Sequence, residues 1–191
     1  MTHQMPSPAL PSYALDGRRI EWSADKTAAA FHSTEAEYHG DANAVSASML
    51  KIADRSLAHL KEALSTPVTP TKAMILGSAM HCAALEPHLF QSRYAVWSGK
   101  RAGKPYQAFL ANLPPGVITL SQTERETIDA QVATLLRTPV VRNLSQTFAL
   151  QDLIEVGHRE RNYYWADSKT GMTCRARMDL TVAKLDRKSV V

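Results

Sequence analysis

Two cysteines are all that this 191-residue chain contains. Cys82 falls in a helical pattern and Cys174 in a strand pattern, and no second pair lies near either one. That excludes a disulfide framework and a cysteine zinc cage, and leaves two buried thiols in a protein expected in a reducing cytoplasm. No apolar run reaches the roughly 18 residues that a membrane helix needs. The N-terminal MTHQMPSPALPSYAL lacks a basic start followed by an apolar core, which argues against secretion. Internal repeats and low-complexity tracts are also missing, so a repeat array is excluded. What remains is a chain with 45% apolar residues, long enough for one well-buried domain with an N-terminal arm.

The charge that is present is unevenly placed. Residues 159 to 191 hold eight Lys or Arg and four Asp or Glu, against fourteen of each in residues 1 to 158, so the net charge of +4 resides in the last sixth of the chain. A basic face around carboxylates suits a polyanion with a divalent cation. An equally ordinary reading is a solvated strand face laced with ion pairs.

Alternation gives that region its structure. From Met172 to Val182 the even positions are apolar and the odd ones polar, which predicts a half-buried strand. Glu160 to Trp165 alternates too, with Tyr163 and Trp165 on one face and Glu160, Asn162 and Tyr164 on the other. ADSKTG between them is a turn, so the two runs form a hairpin. If Trp165 pairs near Met172, Glu160 falls opposite Arg177 and diagonal to Asp179. One face is then apolar, and the other gathers Glu160, Arg175, Arg177 and Asp179.

Upstream, residues 1–42 hold Pro6, Pro8, Pro11 and scattered charges without periodicity, and are expected to form a poorly ordered arm with a short helical piece around Asp25 to Phe31. The folded domain is expected over residues 43–191. It opens with a helix capped by Ser46 or Ser48, carrying Met49, Leu50, Ala53, Leu57, Leu60 and Leu64 at helical spacing and broken near Ser56. KAMILGSAMHCAALEP predicts a second helix ending at Pro87, and Ser121 caps a third that runs to Leu136. Strands are expected around Thr147 to Val156, at the hairpin, and at Lys188 to Val191. Helices first and a sheet afterwards make an α+β or mixed α/β domain.

Three further elements carry possible chemistry. His81 follows Gly77 and Ser78 on one side of its helix, where a backbone or a phosphate could approach closely. Lys100, Arg101, Gly103 and Lys104, with Trp97 and Tyr106 nearby, could grip phosphates and stack a base. Asp186 and Lys188 spell D-x-K, but they fall in what reads as a turn just after Asp179, with side chains expected to project away from it.

Four blocks, YHGDANAVSASML, LGSAMHCAALEP, GKRAGK and RERNYYWADSKTGMTCRARMDL, cover about residues 38 to 182. Together they resemble the C-terminal nuclease domain of exodeoxyribonuclease VIII (RecE-type), within the PD-(D/E)-x-K superfamily that also contains λ exonuclease. The resemblance implies a restriction-endonuclease-like core that uses Mg²⁺ or Mn²⁺. By motif match His81, Glu160 and Asp179 are its catalytic residues and metal ligands, and Lys100, Arg101, Lys104, Arg175 and Arg177 contact DNA. It further implies action on ends of linear duplex DNA in phage-type recombination, a single-strand annealing protein as partner, and assembly as a homo-oligomeric ring. There are two departures. Met178 stands where the family has proline, and the D-x-K pair belongs one strand after Asp179, past Val191, with KSVV as the start of that strand. The core is therefore expected to be incomplete at the C-terminus and this chain inactive or impaired on its own. A non-catalytic prophage remnant and a DNA- or partner-binding module are the alternatives.

Overall fold

Side-chain caps decide where the helices begin. In the computed structural model, which describes residues 7–10, 20–24, 26, 28–143 and 146–182, the hydroxyls of Thr34, Ser46, Ser56, Thr71 and Ser121 each accept a hydrogen bond from an amide of the first helical turn. The elements in chain order are β1 (Glu21–Trp22), β2 (Ala28–His32), α1 (Glu35–Gly40), α2 (Ala47–Arg55), α3 (Leu57–Ser65), α4 (Lys72–Leu85), α5 (Pro87–Arg93) and β3 (Tyr94–Trp97). They continue as α6 (Gly103–Ala111), β4 (Ile118–Ser121), α7 (Gln122–Leu136), β5 (Pro139–Asn143), β6 (Gln146–Ala149), α8 (Leu150–Val156), β7 (His158–Ala166) and β8 (Thr173–Thr181). The result is a mixed α+β fold. Among the described residues, no helix is long and apolar enough to cross a membrane.

The described residues divide into two units, one up to Val68 together with those from His158 onward, the other from Thr69 to Gly157. The first is built on a sheet of order β1-β2-β7-β8 with antiparallel neighbours throughout. Val45 bridges the open edge of β8: its amide donates to the Thr173 carbonyl, and its own carbonyl accepts from the Arg175 amide, both at 2.9 Å. The core joins Phe31, Ala44 and Tyr164, with the Phe31 and Tyr164 rings stacked at 5.2 Å and Leu10 and Ile20 packed against them.

This arrangement revises the reading of residues 1–42. Among its described residues, where a helical piece at Asp25 to Phe31 was expected, the region supplies β1, β2 and α1, and the Ala9 amide donates to the Thr173 hydroxyl at 3.0 Å; Asp25 and Thr27 lie outside the described residues. The physical reason lies in AAAFH. A strand with neighbours on both sides and its middle residues buried shows no polar alternation to announce it. The helix after Ser46 does break at Ser56, which is extended and serves as C-cap of α2 and N-cap of α3. Its apolar stripe is not core, however. Leu50, Leu57 and Leu64 are exposed.

The hairpin forms with its register moved by two residues. Trp165 pairs with Cys174 and Asn162 with Arg177, so Glu160 does not face Arg177 as expected. The turn sets this shift. The Asp167 carboxylate accepts from the amides of Lys169 and Thr170 and from the Thr170 hydroxyl, and Gly171 takes φ +70° to close the loop. Those Thr170 contacts hold the Asp167 carboxyl below its ordinary pKa. A two-residue shift leaves every side chain on its expected face. The burial of the faces is nevertheless inverted. Glu160, Asn162, Tyr164 and Arg175 are buried, whereas Trp165, Met172 and Met178 of the apolar face are each more than a third exposed.

The second unit packs α4 and α7 around Ala79, Cys82, Phe90, Tyr94, Leu120 and Ile128, beside a parallel pair of strands β3 and β4. Pro87 ends the expected helix by starting the next, since proline is readily accommodated in a first helical turn. β6 turns into α8 at Leu150, where an unbroken strand from Thr147 to Val156 was expected. The Asp152 carboxylate accepts from the Ala149 amide at 2.9 Å, and Leu153 and Ile154 are buried one turn in.

Glu124 ties the starts of α4 and α7 to the loop before α6. It accepts from the Ser121 amide at 2.7 Å, pairs with Lys72 at 3.1 Å and with Arg101 at 2.7 Å. The Ser121 amide, then Lys72 and Arg101, hold its carboxyl down at about 2. A carboxyl depressed in the folded state stabilises above its unfolded pKa of 4.5 and loses that contribution as pH falls toward 2. Glu124→Gln should therefore melt lower than wild type at pH 7, with the gap closing between pH 4.5 and 2. Thermal melts of both proteins across that range check it, and a gap independent of pH would refute it.

Candidate functional site

The two carboxylates singled out by pattern are brought together by β7 and β8. The ladder pairs Arg159 with Leu180 and Arg161 with Met178, leaving Glu160 and Asp179 between them on neighbouring strands. A carboxylate oxygen of one lies within 4.8 Å of a carboxylate oxygen of the other. Glu160 is 8% exposed and Asp179 is exposed. Glu160 also has φ +50°, in the left-handed region that non-glycine residues seldom enter. Its backbone is thus turned out of the regular ladder at the site itself.

Arg177 holds Glu160. Its Nε donates to Glu160 Oε2 at 2.7 Å, while Nη1 donates to the Ser33 carbonyl at 2.8 Å and to Asn162 Oδ1 at 3.4 Å. The two carboxylates offer hard oxygen atoms within 4.8 Å of each other, the donor type that a divalent cation takes.

Arg175 behaves differently from its neighbour two residues on. Expected at a DNA phosphate, it is 5% exposed, and its guanidinium donates to the Tyr38 carbonyl, lies 4.7 Å from the Tyr38 ring centroid and 3.9 Å from Asp41 Oδ2. Asp41 also accepts from the Tyr164 hydroxyl at 2.9 Å and the Asn43 amide at 2.8 Å. Arg175 is therefore a buried strut, since a guanidinium so enclosed does not reach a phosphate in solvent.

In the second unit, Lys100 and Lys104 are exposed. Arg101 is committed to Glu124 and to the Thr119 carbonyl at 3.1 Å. Trp97 and Tyr106 are half-buried in a cluster with Phe109, and the Trp97 Nε1 donates to the Lys100 carbonyl at 3.0 Å. A Cβ at Gly99 would meet the Trp97 indole at 3.1 Å, so the ring would have to give by a few tenths of an ångström to admit one. His81 lies half-buried on α4 of the same unit. Asp186, Lys188 and the strand expected at residues 188–191 lie outside the described residues.

Sequence reasoning missed Ser33, Tyr38 and Asp41. All three fall in the segment read as an arm, where no periodic signal marks them. Asn162 was within reach, because it shares the alternating polar face with Glu160.

A family model described as "PDDEXK-like domain of unknown function (DUF3799)" matches residues 46–190. A search of the curated proteins returned no match.

Proposed function

The chain belongs to this PDDEXK-like family, and on that premise we propose that it is a metal-dependent nuclease whose centre is built on Glu160 and Asp179. The observation that carries the reading is the pair itself: two carboxylates within 4.8 Å on adjacent strands, one of them buried. Two carboxylates this close, one of them buried, form a donor pair whose mutual repulsion a divalent cation would compensate.

Glu160 and Asp179 would hold Mg²⁺ or Mn²⁺, and the sequence motif adds His81 as a third ligand. When bound, the cation supplies Lewis acidity toward a phosphodiester and eases formation of hydroxide from water. The chain's own residues do the rest. Arg177 orients the Glu160 carboxylate, and the exposed Lys100 and Lys104 offer sequence-independent contacts to a phosphate backbone. Lys100→Ala with Lys104→Ala should weaken duplex binding uniformly across sequences and flatten its salt dependence by about two units of slope, read by fluorescence anisotropy.

The proposed substrate is duplex DNA attacked from an end. The experiment is a comparison of end-labelled linear duplex with a covalently closed circle, each with Mg²⁺ or Mn²⁺. Loss of label from the linear form alone supports an exonuclease. Cutting of both forms points to an endonuclease, and cutting of neither favours a non-catalytic DNA-binding module. The annealing partner and the ring assembly rest on the sequence resemblance alone.

A further inference from the structure

Arg177 occupies a position that a cation would also favour. Its side chain is 12% exposed, that of Glu160 is 10% exposed, and the pair is nearly out of solvent. The guanidinium is a cation, and it supplies positive charge at the Glu160 carboxylate whenever no metal is present. Its other two contacts go to neutral acceptors, the Ser33 carbonyl and the Asn162 side-chain oxygen. If a cation took the Glu160 carboxylate, Arg177 would keep these two hydrogen bonds. Arg177 and Asp179 are also two apart on β8, hence on one face of it.

We infer that Arg177 is an internal counter-ion that exchanges with the metal. In the metal-free protein it holds the Glu160 carboxylate, and uptake of a divalent cation by Glu160 and Asp179 loosens that ion pair. The inference deepens the reading of the site as a metal centre and rests on it. It also separates Arg177 from a simple supporting role, because a support strengthens metal binding and a competitor weakens it.

Calorimetric titration of the full chain with Mn²⁺ decides between these, using wild type, Arg177→Gln and Arg177→Lys. Removing a unit positive charge from the surroundings of a divalent cation should tighten binding roughly tenfold in Arg177→Gln. Arg177→Lys, which keeps the charge, should bind as wild type does. Equal or weaker binding by Arg177→Gln overturns the inference while leaving the metal centre in place. Absence of Mn²⁺ binding in all three proteins removes the metal centre and the inference together.

A second measurement needs no altered fold. The Arg177 Nε–H signal in nitrogen-15 spectra of wild type, identified by its loss in Arg177→Lys, should move on addition of Mg²⁺; an unmoved signal in metal-saturated protein overturns the exchange.

Discussion

Asp179→Asn is expected to reduce Mn²⁺ affinity at least about a hundredfold and to bring DNA hydrolysis down to background, with the fold intact. Asparagine keeps the shape of the side chain and removes one of the two charges that a cation would bridge. Asp179 is exposed on β8, so its charge is not buried in the sheet. Calorimetry, an end-labelled duplex assay and a thermal melt together read all three parts. Wild-type Mn²⁺ affinity in the Asn variant would remove Asp179 from the centre.

Arg175→Ala is expected to produce the largest loss of stability. It leaves the Asp41 carboxylate, whose side chain is 1% exposed, without its cationic neighbour. Breaking a buried ion pair from one side costs about 3–5 kcal/mol, which for a chain of this size lowers the melting temperature by about 6–20 °C. The aromatic contact with Tyr38 is lost as well. Adding Asp41→Asn in the same chain should recover part of the loss, because the stranded charge is then gone. Denaturant titration of both variants measures it, and a cost below about 1 kcal/mol for Arg175→Ala would show that Asp41 does not depend on this arginine.

The contrast between Arg175 and Arg177 shows what a sequence gives up and what it withholds. Both lie on the polar face of one alternating run, and parity alone places them beside Glu160 and Asp179. Their roles part because Arg175 meets Tyr38 and Asp41 while Arg177 meets Ser33 and Asn162. Three of those four partners lie more than 120 positions away along the chain. Capped helices were legible because Ser46, Ser56 and Ser121 act locally on amides within three residues. β2 was not, because a run of small buried residues lacks alternation. Which face of the hairpin is buried was also hidden: period two distinguishes the faces, but a packed polar network can bury the charged one. Glu160 and Asp179 were legible as candidates by residue type. Their adjacency depends on the register, and that is set by the Asp167 turn.

The positive φ of Glu160 has a bearing on how this chain would respond to selection for heat resistance. A left-handed backbone costs a β-carbon-bearing residue about 1–2 kcal/mol, and glycine or asparagine adopts it at far less cost. At position 160 that gain is outweighed by the buried ion pair with Arg177, which costs about 3–5 kcal/mol when broken from one side. Screening for heat resistance should therefore keep the carboxylate and leave the backbone strain in place, so tolerance and cation capture favour the same residue.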